Sequence, residues 1–369
     1  MRQEHKQINI ECLRIICALM VIAFHMIAQS SVLDVVNGAN YVFAVFFHAG
    51  GRLACSVFVI IGAYFLVDLP FRSHRIIQLY MQTLVTVATV NVIIYCFFRS
   101  TLHPVDAVKL CTQIFPIFGK PYWFVSTYIF MLAISPILNL VSKASHLQNY
   151  RYLLIISSIG IVAIGSLPIM FSTSPFSGDL AWFCFLYLLT GEFKQRHIFY
   201  RVPQRVWGII FLVSYVIACS VAIVCNRLKI LWEYAWVLRF FYISTYQSFF
   251  AFCAAISLFG FFIHVKISSD VSCKMVETIS PHTLGIFLIH QVPILYTNGW
   301  IWNDVFHIDQ NAATAYFPLY CIGILITCVL TCFLADLVIG KICMTLMRIL
   351  KIPQFAERLD KYIEVFHND

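Results

Sequence analysis

The run Ile8-Asn-Ile-Glu-Cys-Leu-Arg-Ile-Ile-Cys-Ala-Leu-Met-Val-Ile-Ala-Phe-His-Met-Ile-Ala28 decides the fold class. It is apolar almost throughout and does not alternate, so it suits a helix rather than a half-buried strand. It also meets the roughly 20 residues that a helix needs to cross a bilayer core. Three ionisable residues interrupt it: Glu11, Arg14 and His25. A cleaved signal peptide has an uninterrupted apolar centre and a small-residue cleavage site. This run therefore reads as a retained first helix that carries function.

The rest of the chain repeats the pattern. Of its 369 residues 61% are hydrophobic and 11% charged, and the mean hydropathy is +0.84. A soluble globule needs a polar skin that this composition does not supply, whereas a bilayer accepts the apolar surface. The short alternating segments of a transmembrane β-barrel are missing. The expected fold is all-α and polytopic, with about ten spans near 10–30, 41–69, 76–98, 122–141, 151–171, 179–193, 206–225, 240–264, 279–298 and 314–338. The second is long enough to tilt or to break at Gly50-Gly51. With both termini cytoplasmic, 17 of the 25 Lys and Arg lie inside and 6 outside, which satisfies the positive-inside rule. Residues 7–345 form the expected membrane domain and residues 346–369 a short cytoplasmic tail, in which Lys351 to Asp369 reads either as an amphipathic helix on the inner face or as a frayed end.

The net charge of +8 sits in short clusters between apolar runs, where it sets topology and meets anionic headgroups or phosphates. Membrane lipids are thus expected partners and nucleic acid is not. The 14 Cys include no C-x-x-C pair, and most fall inside apolar runs as packing residues. Cys111 and Cys225 fall in expected outer loops, and whether they pair stays open. No metal motif, Gly-rich phosphate loop or nucleophile elbow is present, so no metal site is expected.

Ionisable residues within spans are costly and mark function by default. Arg14 and His25 are eleven residues apart, about 1,100° of helical rotation, so they share one face about 16 Å apart along the axis. That arrangement suits a long substrate with an anionic head at the inner surface and a reactive group deeper in. The plainer alternative is a snorkelling Arg with a packed His. Arg72 and Arg75 open the third span on one helix face, where guanidinium forks can hold phosphate oxygens or serve as a topological anchor. Trp123 and Tyr128 belong to an outer aromatic belt or to a wall for a sugar ring. His290 is a second intramembrane histidine, which a neighbouring helix could satisfy. His48 and Arg52 lie one turn apart beside Gly50-Gly51 and are candidates to line the same cavity.

Together these residues resemble acyltransferase family 3, the bacterial membrane O-acyltransferases. The resemblance rests on Arg14 to His25, on Arg72-Ser-His-Arg75, on Phe58-Val-Ile-Ile-Gly-Ala-Tyr-Phe-Leu66, and on Leu284-Gly-Ile-Phe-Leu-Ile-His290. Trp123-Phe124, Tyr128 and Pro136 are similar to the branch without an appended extracytoplasmic hydrolase-like domain. Two positions depart from the pattern: Ile61 stands where the family has Ser, and Phe287 where it has Tyr. The resemblance implies a bacterial inner-membrane enzyme that moves an acyl group, commonly acetyl, from cytoplasmic acyl-CoA to a hydroxyl of a glycan or lipid-linked sugar. It implies no bound cofactor, with acyl-CoA as co-substrate. Arg72, Arg75 and Arg14 would hold the CoA phosphates, and His25 with Arg14 would serve the chemistry, by direct transfer or through an acyl-His relay. A transporter or flippase for an anionic or sugar substrate is the alternative from another class.

Overall fold

The computed structural model describes residues 7–98, 122–144, 179–227, 248–296 and 299–368, and among these it contains helices and no strand. The principal helices are α1 (Ile8–Gln29), α2 (Gly38–Leu66), α3 (Ser73–Phe98), α4 (Trp123–Ala144), α5 (Asp179–Gln195) and α6 (Gln204–Arg227). They continue as α7 (Phe249–Phe262), α8 (Asp270–Ile279), α9 (Thr283–His290), α10 (Phe317–Ile349) and α11 (Ile352–Asn368).

Six of the described helices, α1, α2, α3, α4, α6 and α10, are long and apolar enough to cross a membrane. The expected span at 151–171 lies outside the described residues. That near 179–193 is helix α5, which has 17 residues, and the described part of 240–264 contains the 14-residue α7. The segment near 279–298 is not one helix. It divides into a 3-10 turn at Ser280–His282, the eight-residue α9, and a short turn at Pro293–Tyr296. The break falls where Pro293 withholds a backbone donor from the helical ladder.

The outward faces are those of a protein in lipid. Along α10, Leu319, Ile322, Ile326, Leu330, Leu334, Val338 and Ile342 are exposed, while Cys321, Ile324, Cys328, Cys332, Asp336 and Cys343 are buried. Apolar side chains out and the one carboxylate of the helix in is the reverse of a soluble amphipathic helix.

The chain forms two compact units. The first comprises Met1–Ala28, Leu33–Asp68 and Ile137–Pro281, and the second Gln29–Val32, Leu69–Pro136 and His282–Asp369. In the first, α2 packs along α5, α6 and α7. Helix α2 runs unbroken through Gly50-Gly51, so the break considered there does not occur. The glycines have another purpose. A Cβ at Gly51 would stand 2.1 Å from Phe24 Cβ, and one at Gly50 2.7 Å from Met20 Cε, so they let α1 and α2 touch. The start of α1 is tied to the end of α7 by Asn9, whose amide donates to the carbonyls of Phe262 and Ile263.

In the second unit, α3 packs against α9, α10 and α11. Val87, Tyr122, Val125, Ile129 and Leu288 form its buried cluster, with Ile76, Leu79, Tyr80, Leu284 and Phe287 packed around them. Helix α10 carries the chain past 345 to Ile349, and α11 returns against the start of α3.

Candidate functional site

The candidate residues divide between the units. Arg14, His25, His48 and Arg52 belong to the first; Arg72, Arg75, Trp123, Tyr128 and His290 belong to the second.

In the first unit, α1 is continuous from Ile8 to Gln29, so Arg14 and His25 do share a face. Arg14 Nη1 donates to Glu11 Oε2 at 3.1 Å, one turn earlier, with the Glu11 side chain 11% exposed. The Arg14 charge is therefore already matched by a buried carboxylate, a partner that the sequence displayed but whose geometry only the fold settles. At the other end of α1, Phe24 is a hub. The His25 ring meets it edge-on at 5.2 Å, the His48 ring stacks on it at 4.5 Å, and the Arg52 guanidinium stands 5.8 Å from its centroid. The structure thus brings His25, His48 and Arg52 around one aromatic ring, which the bare spacing within each helix could not reveal. Asp179, the first residue of α5, lies within electrostatic range of Arg52.

In the second unit, Arg72 is exposed just before α3, and its carbonyl accepts from the Arg75 amide at 3.1 Å. Arg75 Nη1 donates to the Pro70 carbonyl at 3.0 Å. The helix N-terminus beside them is occupied from within the chain: the Ser73 amide donates to Asp360 Oδ1 at 2.7 Å, and Ser73 Oγ donates to the Ala356 carbonyl. The first helix amide is thus engaged within the chain, which leaves the two guanidinium groups as the anion-binding candidates at this end of α3.

The aromatic candidates meet His290 through intermediates. Phe124 stacks on Tyr128 at 6.0 Å, meets Trp123 at 6.0 Å and Phe287 at 5.9 Å, and Phe287 meets His290 at 5.8 Å. Phe287, one of the two departures from the family pattern, is the link in this row. His290 is 1% exposed and its Nδ1–H donates to the Ile286 carbonyl at 2.9 Å, so it is a packed residue of α9.

One pair escaped the sequence reading altogether. His282 Nδ1 and Asp336 Oδ2 lie 2.7 Å apart, joining the start of α9 to the middle of α10, and the Asp336 side chain is 3% exposed. Gly285 makes the room, since a Cβ there would stand 1.9 Å from Asp336 Oδ1. An aspartate thirteen residues before the end of an apolar helix was the available signal, because charge within a span needs a named partner.

A family model described as an acyltransferase domain, that of acyltransferase family 3, matches residues 7–335. The chain belongs to this family. Nearly its whole length is thereby accounted for as a membrane acyltransferase domain, and the match spans both units and every candidate residue named above. No curated protein and no solved structure matches the chain.

Proposed function

We propose that this acyltransferase moves an acyl group, in the first instance acetyl, from cytoplasmic acyl-CoA to a hydroxyl of a cell-surface glycan or its lipid-linked precursor, in the inner membrane of a bacterium. The observation that carries the reading is the family match over residues 7–335 with Arg14 and His25 on one face of the unbroken α1. CoA has a multiply anionic nucleotide head and a long arm ending in a thioester. Arg72, exposed at the start of α3, and Arg75 supply guanidinium groups suited to the phosphates. His25 acts as the general base on the incoming hydroxyl, and a hydroxyl oxygen then takes the acyl carbon from sulfur. Arg14, paired with Glu11, orients the inner end of α1 and adds positive charge for the donor.

Purified protein incubated with labelled acetyl-CoA and membrane glycolipid tests the reading. Transfer of label to lipid-linked sugar is expected from wild type and lost in His25→Ala, since a positioned base contributes about 10²–10⁴-fold. Retention of a tenth of the wild-type rate in His25→Ala excludes the role given to it. Arg72→Ala and Arg75→Ala should raise KM for acyl-CoA with kcat little changed, by roughly 10- to 150-fold for one charge-assisted contact. Unaltered acetyl-CoA binding by these variants in calorimetry would reduce the pair to a topological anchor.

A further inference from the structure

Acyl transfer passes through a tetrahedral species whose former carbonyl oxygen carries a full negative charge, and a base does nothing for that charge. The first unit contains a cation beside the same aromatic ring as His25. Arg52 sits midway along α2, in a helix whose neighbours Leu53, Ala54, Val57 and Ile60 are all buried apolar residues. Its guanidinium and the His25 ring contact the same Phe24 ring, at 5.8 and 5.2 Å from the centroid. The register that places them there is rigid, because Gly51 lies against Phe24 and Gly50 against Met20 with no space for a methyl group.

We infer that Arg52 is the oxyanion-stabilising residue of the acyl transfer, its guanidinium donating to the acyl oxygen while His25 handles the proton. The inference rests on the assignment of His25 as base. The hydroxyl oxygen bonds to the thioester carbon as its proton passes to His25, and the carbonyl electron pair moves onto oxygen beside Arg52. Collapse of that species breaks the carbon–sulfur bond, and the departing thiolate takes the proton from His25, so that an ester and CoA thiol result. Asp179 is a positioning residue, holding the guanidinium by its opposite charge from the start of α5.

Packing alone gives a poor account of Arg52. Arg52 is half-buried, and contact with an aromatic face only partly offsets drawing a cation even part-way out of water among apolar neighbours. A Leu or Met would fill the same volume against Phe24 without that cost. A preorganised cation beside apolar side chains, by contrast, stabilises developing charge without reorganising in the reaction.

The test uses full-length protein with acetyl-CoA and water as the acceptor, following thiol release, because hydrolysis passes through the same oxyanion. Arg52→Ala should lower kcat by about 10²–10³-fold with KM for acetyl-CoA unchanged, as loss of one oxyanion donor does. Added methylguanidinium should restore part of the rate. Asp179→Asn should lower kcat by less. Arg52→Gln, which keeps most of the side chain's bulk, carries the same expectation should Arg52→Ala fail to fold. A kcat within tenfold of wild type overturns the assignment. So does a raised KM at constant kcat, which marks ground-state anion binding, or a loss that methylguanidinium leaves untouched in protein that binds acetyl-CoA normally. Wild type that releases no thiol, or His25→Ala that still does, instead overturns the proposed function and this assignment with it.

Discussion

Gly285 shows how a single residue can be fixed by a partner far along the chain. In the sequence it belongs to Leu284-Gly-Ile-Phe-Leu-Ile-His290 and gives no hint of its reason. In the fold it is the place where α9 meets the Asp336 carboxylate, and a methyl group would overlap that carboxylate. Gly285→Ala should therefore destabilise the protein by about 1–3 kcal/mol or more through overpacking. Gly340, on the same α10 with nothing within 4 Å of a built Cβ, should accept Ala without loss. Thermal unfolding in detergent compares the two, and equal midpoints would contradict the geometry. His282→Ala removes the partner of a carboxylate that is 3% exposed and should cost about 3–5 kcal/mol, more than Asp336 and His282 replaced together by apolar residues. Double substitution that is no better than the single would show that the pair does not couple.

At the scale of elements, the question is why a helix begins or ends where it does. Helix α7 starts at Ser248, whose hydroxyl accepts from the Ala251 amide, and α10 starts with Pro318 in its first turn, both ordinary local signals. The start of α3 is different: its first amide is satisfied by Asp360, 287 residues away on α11. Removing a cap of this kind costs about 0.5–2 kcal/mol. Asp360→Ala should loosen α11 from α3 and speed tryptic cleavage after Lys351, an exposed residue in the left-handed region at the junction with α10. Cleavage at the wild-type rate would show that the contact adds no stability. The same contact bears on how the tail is read. The sequence leaves open an amphipathic helix or a frayed end; Ile352–Asn368 is helical, with Phe355, Leu359 and Tyr362 exposed along α11 and Ala356 and Asp360 facing α3.

For the whole molecule, that contact has a topological consequence. Because Ser73 and Asp360 touch, the beginning of α3 and the whole of α11 must lie on one side of the bilayer. The excess of Lys and Arg makes the cytoplasm the expected side, and labelling tests it. In a Cys-depleted variant, single Cys probes at Arg72 and at Lys351 should both resist a membrane-impermeant reagent in intact spheroplasts and react after lysis. Labelling of one but not the other would break the fold, and labelling of both from outside would reverse the orientation.

The sequence by itself determined that the chain is helical and lives in a membrane, since mean hydropathy and unbroken apolar runs are properties of composition and local order. It also displayed the family, because Arg14 to His25, Arg72 to Arg75 and Leu284 to His290 are short motifs whose spacing can be read along one strand of text. Within one helix even geometry was legible: Arg14 and His25 share a face because helical rotation per residue is fixed. What only the tertiary structure decided is everything that joins separate helices. That Phe24 gathers His25, His48 and Arg52, and that Gly50-Gly51 serves close packing rather than a break, depend on neighbouring backbones. The partnership of His282 with Asp336 spans 54 residues and that of Ser73 with Asp360 spans 287. Local propensity carries no record of such distances; the burial of polar groups that must find partners is what selects them.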